Sequence, residues 1–585
     1  MDKNKITKSL AVFASVLLII IIGVASFAYF GTFNVNLVNN VAVNINSSSP
    51  GNATFISNAT QLNLQVPAAN MSFTVANNTV AAKEDTAFLD VTLTGSQNLL
   101  TTCTYDIVYE YDAGSNVYGQ GTTTKTSGAT KEITIEVNGM NGNNHFATET
   151  NFDHANIQSY YDNTNKYYKL VEGATIKSLG STQSVRWKIT GRYYNLDVSQ
   201  AQLGGKNFTG KIYAISKGCT SEDGTTVKKG YETILANNGG KTAIEAKTAD
   251  FHTMAETNEG MYAAEDDLGT SYYFRGAVDN NWIKYGKYKS DFVRYRGYYD
   301  ADDFYYFSEY NSLTECQNAL QYNYNCTPYV YGRVGDDMYW RIIRINGDDS
   351  IRMIYSGTYA PDSNTKTVMD NYLISVGYSA FNKDYHSAEY VGYMYTLGEQ
   401  HGTSKSSDIK TYLDNWYANY TNLNDDGTKL TDQIFCVDRS ATNSTEIWSS
   451  TSDSYFYGAS ERIRGYPQLT CPVVEDRFTV GKVMGLGNSS LTYPVGMITM
   501  DEIKMAGNTG NDSIGNTNYY LYSNNAYWSL TPYAIYNNSA KLYKASDIIY
   551  TGYAYDSYAV RPVISLSSES KLLGSGTYDD VYTVG

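Results

Sequence analysis

The chain has 585 residues, a formal net charge of −15, and 42% hydrophobic and 14% aromatic side chains. That apolar content excludes wholesale disorder, and the length allows on the order of two to four domains. The acidic balance argues against a nucleic-acid partner, which needs clustered Lys and Arg, and against docking on anionic lipid.

Residues 1–9 carry Lys3, Lys5 and Lys8, and Leu10–Phe30 follows with no charged residue. At about 1.5 Å per residue such a stretch forms a helix of roughly 30 Å, the thickness of a bilayer's hydrocarbon. The basic flank places residues 1–9 in the cytoplasm and 31–585 outside, as a single-pass membrane protein. Two fates stay open. One is a retained signal anchor, which the length of the apolar run favours. The other is a cleaved signal peptide and secretion, because Ser26 and Ala28 set small residues at the −3 and −1 positions of a cut before Tyr29.

Residues 31–60 read as an Asn- and Ser-rich tether or a first edge strand. From 61 to 217 the apolar residues alternate: Leu62, Leu64, Val66; Met71, Phe73, Val75; Ala87, Leu89, Val91, Leu93; Tyr105, Ile107, Tyr109; Ile133, Ile135, Val137; Val185, Trp187, Ile189. Period-two strands divided by Gly, Asn and Ser turns predict a β-sandwich, closed by a strand over 210–215. The segment from Gly139 to Asn163 is polar and reads as a long loop. Residues 218–269 lose apolar content and read as a linker with one short helix from Tyr231 to Asn237.

Residues 270–585 read as an α+β domain. Tyr339–Ile345, Asn346-Gly347 and Ile351–Tyr355 predict a hairpin with a type I′ turn. Ser407 caps a helix whose Ile409, Leu413 and Trp416 share a face, and Thr499 with Glu502 makes a capping box for a second. Strands return at Tyr527–Pro532 and Ala559–Leu566. The fold class is therefore multidomain and mainly β: a transmembrane helix, a β-sandwich, then an α+β domain.

Cys103, Cys219, Cys316, Cys326, Cys436 and Cys471 all lie outside the membrane segment and form no C-x-x-C. An even number in an exported chain predicts disulfides, and proximity together with the domain boundaries favours Cys103–Cys219, Cys316–Cys326 and Cys436–Cys471.

Ser26-Phe27-Ala28-Tyr29-Phe30 before a sandwich resembles the leaders of biofilm-fibre and camelysin-type exported proteins of Gram-positive bacteria. Farther on, Trp340-Arg341, Ser407-Asp408-Ile409-Lys410, Tyr527-Trp528-Ser529-Leu530-Thr531-Pro532 and Val560-Arg561-Pro562-Val563 run in the order of an uncharacterised Gram-positive surface domain family. Its members read W-L-R-S-P and V-R-P-A at the last two places. That family is related to C-type-lectin-like and formylglycine-generating-enzyme folds, so the resemblance implies a C-type-lectin-like domain over 270–585. It singles out Trp340, Trp528, Arg561 and Pro562, which are read here as structural. Leu530 stands where the family has Arg, so a site built on that Arg is in doubt.

No catalytic residue and no metal or cofactor site is assigned from the sequence. His145, His154, His252, His386 and His401 have no ligand spacing. Asp300, Asp302 and Asp303, or Asp336 and Asp337, are the carboxylates that a glycosidase pair would draw on, and otherwise are solvated loops. Asn422–Gly427 resembles a calcium loop, with Gln433 in the place of the bidentate Glu. The 57 tyrosines against 19 phenylalanines suit half-exposed strands and contacts with sugar or protein. The expectation is a membrane-tethered surface protein that binds a glycan or a protein and is not an enzyme. The alternatives are a fibre or matrix subunit assembling through the sandwich and, less favoured, a secreted hydrolase.

Overall fold

Nine strands carry the first half: β1 (Thr54–Ser57), β2 (Thr60–Gln65), β3 (Ala81–Thr94), β4 (Leu99–Tyr111), β5 (Ile133–Asn141), β6 (Asn144–Phe152), β7 (Tyr168–Leu179), β8 (Thr182–Tyr194) and β9 (Asn207–Asp223). This is a computed structural model, and it describes residues 54–66 and 81–585. Within these, 96–97, 112–116, 119–125, 128–130, 142–143, 153–166, 197–198, 225–226, 299–306, 320–325, 370–372, 424–428, 443–446, 453 and 510–514 are left out. Leu10–Phe30, the tether up to 53 and the Met71–Val75 strand lie outside the described residues. Among those described, no helix is long and apolar enough to cross a membrane.

The strands form two antiparallel sheets, β1-β3-β8-β5-β6 and β2-β9-β4-β7. Their inward faces hold Leu89, Val91, Leu93, Ile133, Ile135, Val185, Trp187 and Ile189 against Leu62, Leu64, Tyr105, Ile107, Tyr109 and Ile212. This is the alternation of the sequence turned into two facing layers.

The polar segment after Gly139 is not one long loop. Its residues 144–152 are β6, an edge strand paired to β5 from Ile133↔Phe152 to Asn141↔Asn144. Of its described side chains only Phe152 enters the core, so the strand carries little period-two apolar signal. The stretch 218–269 likewise holds more than a linker with one helix. β9 continues to Asp223, two helices follow at Gly230–Asn237 and Lys241–Glu245, and β10 (Asn258–Asp266) leads into the next sheet.

In the second half, β10 pairs with β11 (Gly269–Gly276), while β12 (Trp282–Lys287), β13 (Phe292–Tyr298), β14 (Phe307–Tyr310) and β15 (Cys326–Gly332) precede β16 (Asp337–Ile345) and β17 (Ile351–Tyr355). β16 is buried throughout, between β11 and β12 in the larger sheet, and also pairs with β17. The β16–β17 turn is not a two-residue type I′ turn. Ile345 pairs with Ile351, so the loop is Asn346–Ser350, and the positive φ falls on Asp349 (65°). Asn346 instead turns inward, donating from Nδ2 to Ser350 Oγ at 2.7 Å. The capped helices fall at Asp408–Tyr420 and Met500–Met505, with Ser407 and Thr499 accepting the N–H groups of Lys410 and Glu502.

The three bridges join Cys103–Cys219, Cys316–Cys326 and Cys436–Cys471, the pairing that proximity favours, with Cα atoms 4.0, 6.1 and 5.5 Å apart. The described residues from Thr54 onward belong to one compact unit. The sandwich core runs on into Trp282, Tyr339 and Val581, and Gln183 Nε2 donates to the carbonyl of Val584 at 2.5 Å.

Candidate functional site

The outer face of the β3–β8 pair is the starting point. Phe88 lies opposite Lys188, Asp90 opposite Arg186 and Asn138 of β5 opposite Lys188. Because Ala87, Leu89, Val185, Trp187 and Ile189 take the inward positions, these side chains must stand on the solvent side. Phe88 is 41% exposed there, an apolar ring on a face otherwise polar.

The turn from β15 to β16 faces it. Asp336 closes this turn, its N–H donating to the Arg333 carbonyl at 2.9 Å and its Oδ2 accepting from the N–H of Arg333 at 2.8 Å. Arg186 reaches over from β8. Its Nε and Nη2 donate to Asp90 at 2.8 and 2.9 Å, and its Nη1 donates to the carbonyl of Val334 at 2.8 Å and to Asp336 at 3.4 Å. Gly335 is required by that approach, since a Cβ there would stand 2.1 Å from the guanidinium, at a φ of 84°. A second strut is Lys284 of β12, buried, donating to the carbonyl of Ser184 at 3.2 Å.

Between these walls lies a cleft of about 530 Å³, floored by Tyr339 and rimmed by Phe88 and by Tyr359, which is 48% exposed. Its acids are tied down. Asp337 accepts from Lys287 at 2.5 Å, with Lys284 at 4.0 Å. Burial pushes its carboxyl up, and the two lysines more than offset that, holding it below its usual range. Asp336 goes the other way, because burial outweighs the Arg333 N–H and Arg186. Asp336 and Asp337, singled out in the sequence as carboxylates, are thus the braces of this rim.

A second, smaller notch of about 30 Å³ lies against the Cys436–Cys471 bridge. Its charges are paired inside the fold: Arg344 with Asp266 at 2.6 Å, Arg352 with Glu502 at 2.7 Å, Arg462 with Asp438 and Asp501 at 2.7 and 2.8 Å. That space holds about one water, so the notch is a polar brace of the core.

The other residues named in the sequence stand apart from the cleft. Trp340 is buried and donates to the Tyr285 carbonyl at 2.8 Å. Trp528 is buried against Phe381 and Tyr558 and donates to the Ser379 carbonyl at 2.9 Å. Arg561 is buried with Pro562 and donates to the carbonyls of Tyr355 and Leu521 at 3.2 and 3.0 Å, over the ring of Tyr527. Burial lowers its guanidinium, since no carboxylate accepts from it. Leu530 is fully buried.

His401 Nδ1 lies 3.0 Å from Asp476, His386 Nδ1 lies 3.0 Å from the Asn538 carbonyl, and His252 sits against Tyr466. His154, the side chain of His145, Asp300, Asp302, Asp303 and most of the Asn422–Gly427 loop lie outside the described residues. Gln433 donates to Asp348 at 2.6 Å. Among the described residues, no group of three or more His, Cys, Asp or Glu could hold a metal ion. The cysteines at 436 and 471 are bridged and carry no free thiol.

Phe88, Lys188, Arg333 and Tyr359 were not singled out in the sequence. The one available signal was Phe88, an aromatic at an outward position of an alternating strand. The chain matches no family model and no curated protein, so no relative lends it a catalytic activity.

Proposed function

We propose that the chain is an exported, membrane-tethered binding protein that seats a saccharide in the cleft between the sandwich and the β15–β16 turn. The observation that carries this is the cleft itself. Its volume of about 530 Å³ falls inside the range of ligand sites, roughly 300–1,000 Å³, and two half-exposed aromatic rings rim it. The C–H faces of a sugar ring pack on such aromatics, and Thr86, Asn138 and Thr358 add polar groups for hydroxyls. Binding is favoured over catalysis because Asp336 and Asp337 are spent on internal cations and backbone. Leu10–Phe30 behind Lys3, Lys5 and Lys8 supplies the tether, and three disulfides accord with an oxidising compartment outside the cell. The C-terminal half is read as a C-type-lectin-like domain on its sequence motifs.

A glycan array probed with the detergent-solubilised chain, followed by calorimetry on the hits, tests this. Phe88→Ala and Tyr359→Ala should each weaken the best glycan about tenfold, a loss of ~1.4 kcal/mol. An array with no hit, or two variants that bind like wild type, would overturn the reading.

A further inference from the structure

The charge left uncommitted in the cleft is positive, and we propose that its saccharide is anionic, carrying a uronate carboxylate or a phosphate ester. This rests on the cleft being the saccharide site.

Three acids line the cleft, and each has internal donors. Asp336 has Arg186 and the Arg333 N–H, and Asp337 has Lys287 and Lys284. Asp362 accepts from the N–H groups of Asn364 and Thr365 at 2.8 and 2.9 Å and from Thr365 Oγ1 at 3.0 Å. Arg186 is consumed by Asp90, Asp336 and the Val334 carbonyl. Two cations remain. Lys188 projects from β8 on the sandwich wall, and Arg333 stands on the turn opposite. Both are exposed, and neither side chain makes an ion pair or hydrogen bond among the described residues.

An unpaired surface cation alone means little. These two come from different walls of one concave site and flank the exposed rings of Phe88 and Tyr359. Arg333 offers a planar fork suited to two oxygens of a carboxylate or phosphate, and Lys188 a point charge for a third. A neutral glycan would use the rings and leave both cations idle. An acidic polypeptide would bring charge without flat faces to stack. A saccharide with one anionic substituent per unit or two uses both. The net charge of −15 then has a consequence: away from this cleft the surface repels such polymers, so binding is confined to it.

The test is calorimetry on the detergent-solubilised full chain with four probes: trigalacturonate, its methyl ester, pentamannose phosphate and a hexa-aspartate peptide. The ester keeps the ring faces and removes the charge. We expect trigalacturonate or pentamannose phosphate to bind at least tenfold tighter than the ester, and whichever does so names the anion. Lys188→Gln and Arg333→Gln should each weaken that ligand fivefold or more, leave the ester unchanged, and leave the circular dichroism and melting curve as in wild type. Equal affinity for acid and ester overturns the anionic assignment while the saccharide reading stands. Tighter binding of hexa-aspartate than of any saccharide, or no saccharide binding at all, overturns both.

Discussion

Glu502 is where a single substitution should cost most. It occupies the third position of the helix Met500–Met505, buried, with its carboxylate accepting the N–H of its own cap residue Thr499 at 3.0 Å. The same carboxylate lies 3.1 Å from Arg344 Nε and 2.7 Å from Arg352 Nε, two residues opposite each other on β16 and β17. Arg344 has a second anion in Asp266. Arg352, 1% exposed, keeps among the described residues the ring of Phe435 at 4.7 Å and a weaker attraction to Asp266 if Glu502 goes. Stranding a buried charge costs about 3–5 kcal/mol, a large part of a typical stability of roughly 5–15. Glu502→Leu should lose that much in urea unfolding followed by tryptophan fluorescence, since Trp340, Trp416 and Trp528 share this core. Glu502→Leu with Arg352→Met should lose less than Glu502→Leu alone, because no charge is then stranded. The pH dependence has a fixed sign. Burial raises the Glu502 carboxyl, and Arg352 and Arg344 more than offset it, so it titrates below its unfolded value. Its stabilisation is complete above that unfolded value, about 4.3, and fades as pH falls through the lower folded one. The gap between wild type and Glu502→Leu should therefore close in acid. A deficit under about 1 kcal/mol at pH 7, or a double variant at least as unstable as the sum of its singles, would refute the reasoning.

Trp528→Ala should cost about 3–5 kcal/mol and lower the melting temperature by several degrees, by opening a cavity beside Phe381 and Tyr558 and orphaning the Ser379 carbonyl. A variant that melts like wild type and loses ligand would instead put this residue in a binding site. The bridges should differ in worth, because Cys103–Cys219 closes a separation of 116 residues and Cys316–Cys326 one of 10. Chain entropy puts them at about 5 and 2.7 kcal/mol, so the paired Cys→Ser variants should differ by ~2 kcal/mol in urea. The reverse order would point to native-state strain.

What could be read from the sequence was whatever leaves a local trace. Leu89, Val91 and Leu93 alternate because one face of β3 is buried and the other wet, and that needs no knowledge of partners. Ser407 and Thr499 announce helix starts because an orphan N–H must be satisfied within three residues. The disulfides followed from proximity and the domain boundaries, and the structure then sets Cys103 and Cys219 opposite each other on β4 and β9. The failures share one cause. β6 sends only Phe152 of its described side chains into the core, and among the described residues the last residues of β9 pair only with β4 at the sandwich's end. Asn346-Gly347 satisfied the local rule for a tight turn, but Asp266 accepts the Gly347 N–H at 3.0 Å and Asn346 is buried, so tertiary contacts set a longer loop.

The cleft was hidden for the same reason at a longer range. Phe88, Lys188, Arg333 and Tyr359 are separated by up to 271 positions, and no spacing rule connects a strand of the sandwich to a turn of the other half. Asp336 and Asp337 did stand out locally, and for a carboxylate pair the first question is which charges they meet. Arg186, Lys284 and Lys287 answer it, two of them from β12 and one from β8. That answer changes what the net charge means. A chain with an excess of acids can still present a basic cleft, provided its local acids are consumed where it folds. The ligand then meets the residual charge of the site, and the total charge decides only what is kept away from the rest of the surface.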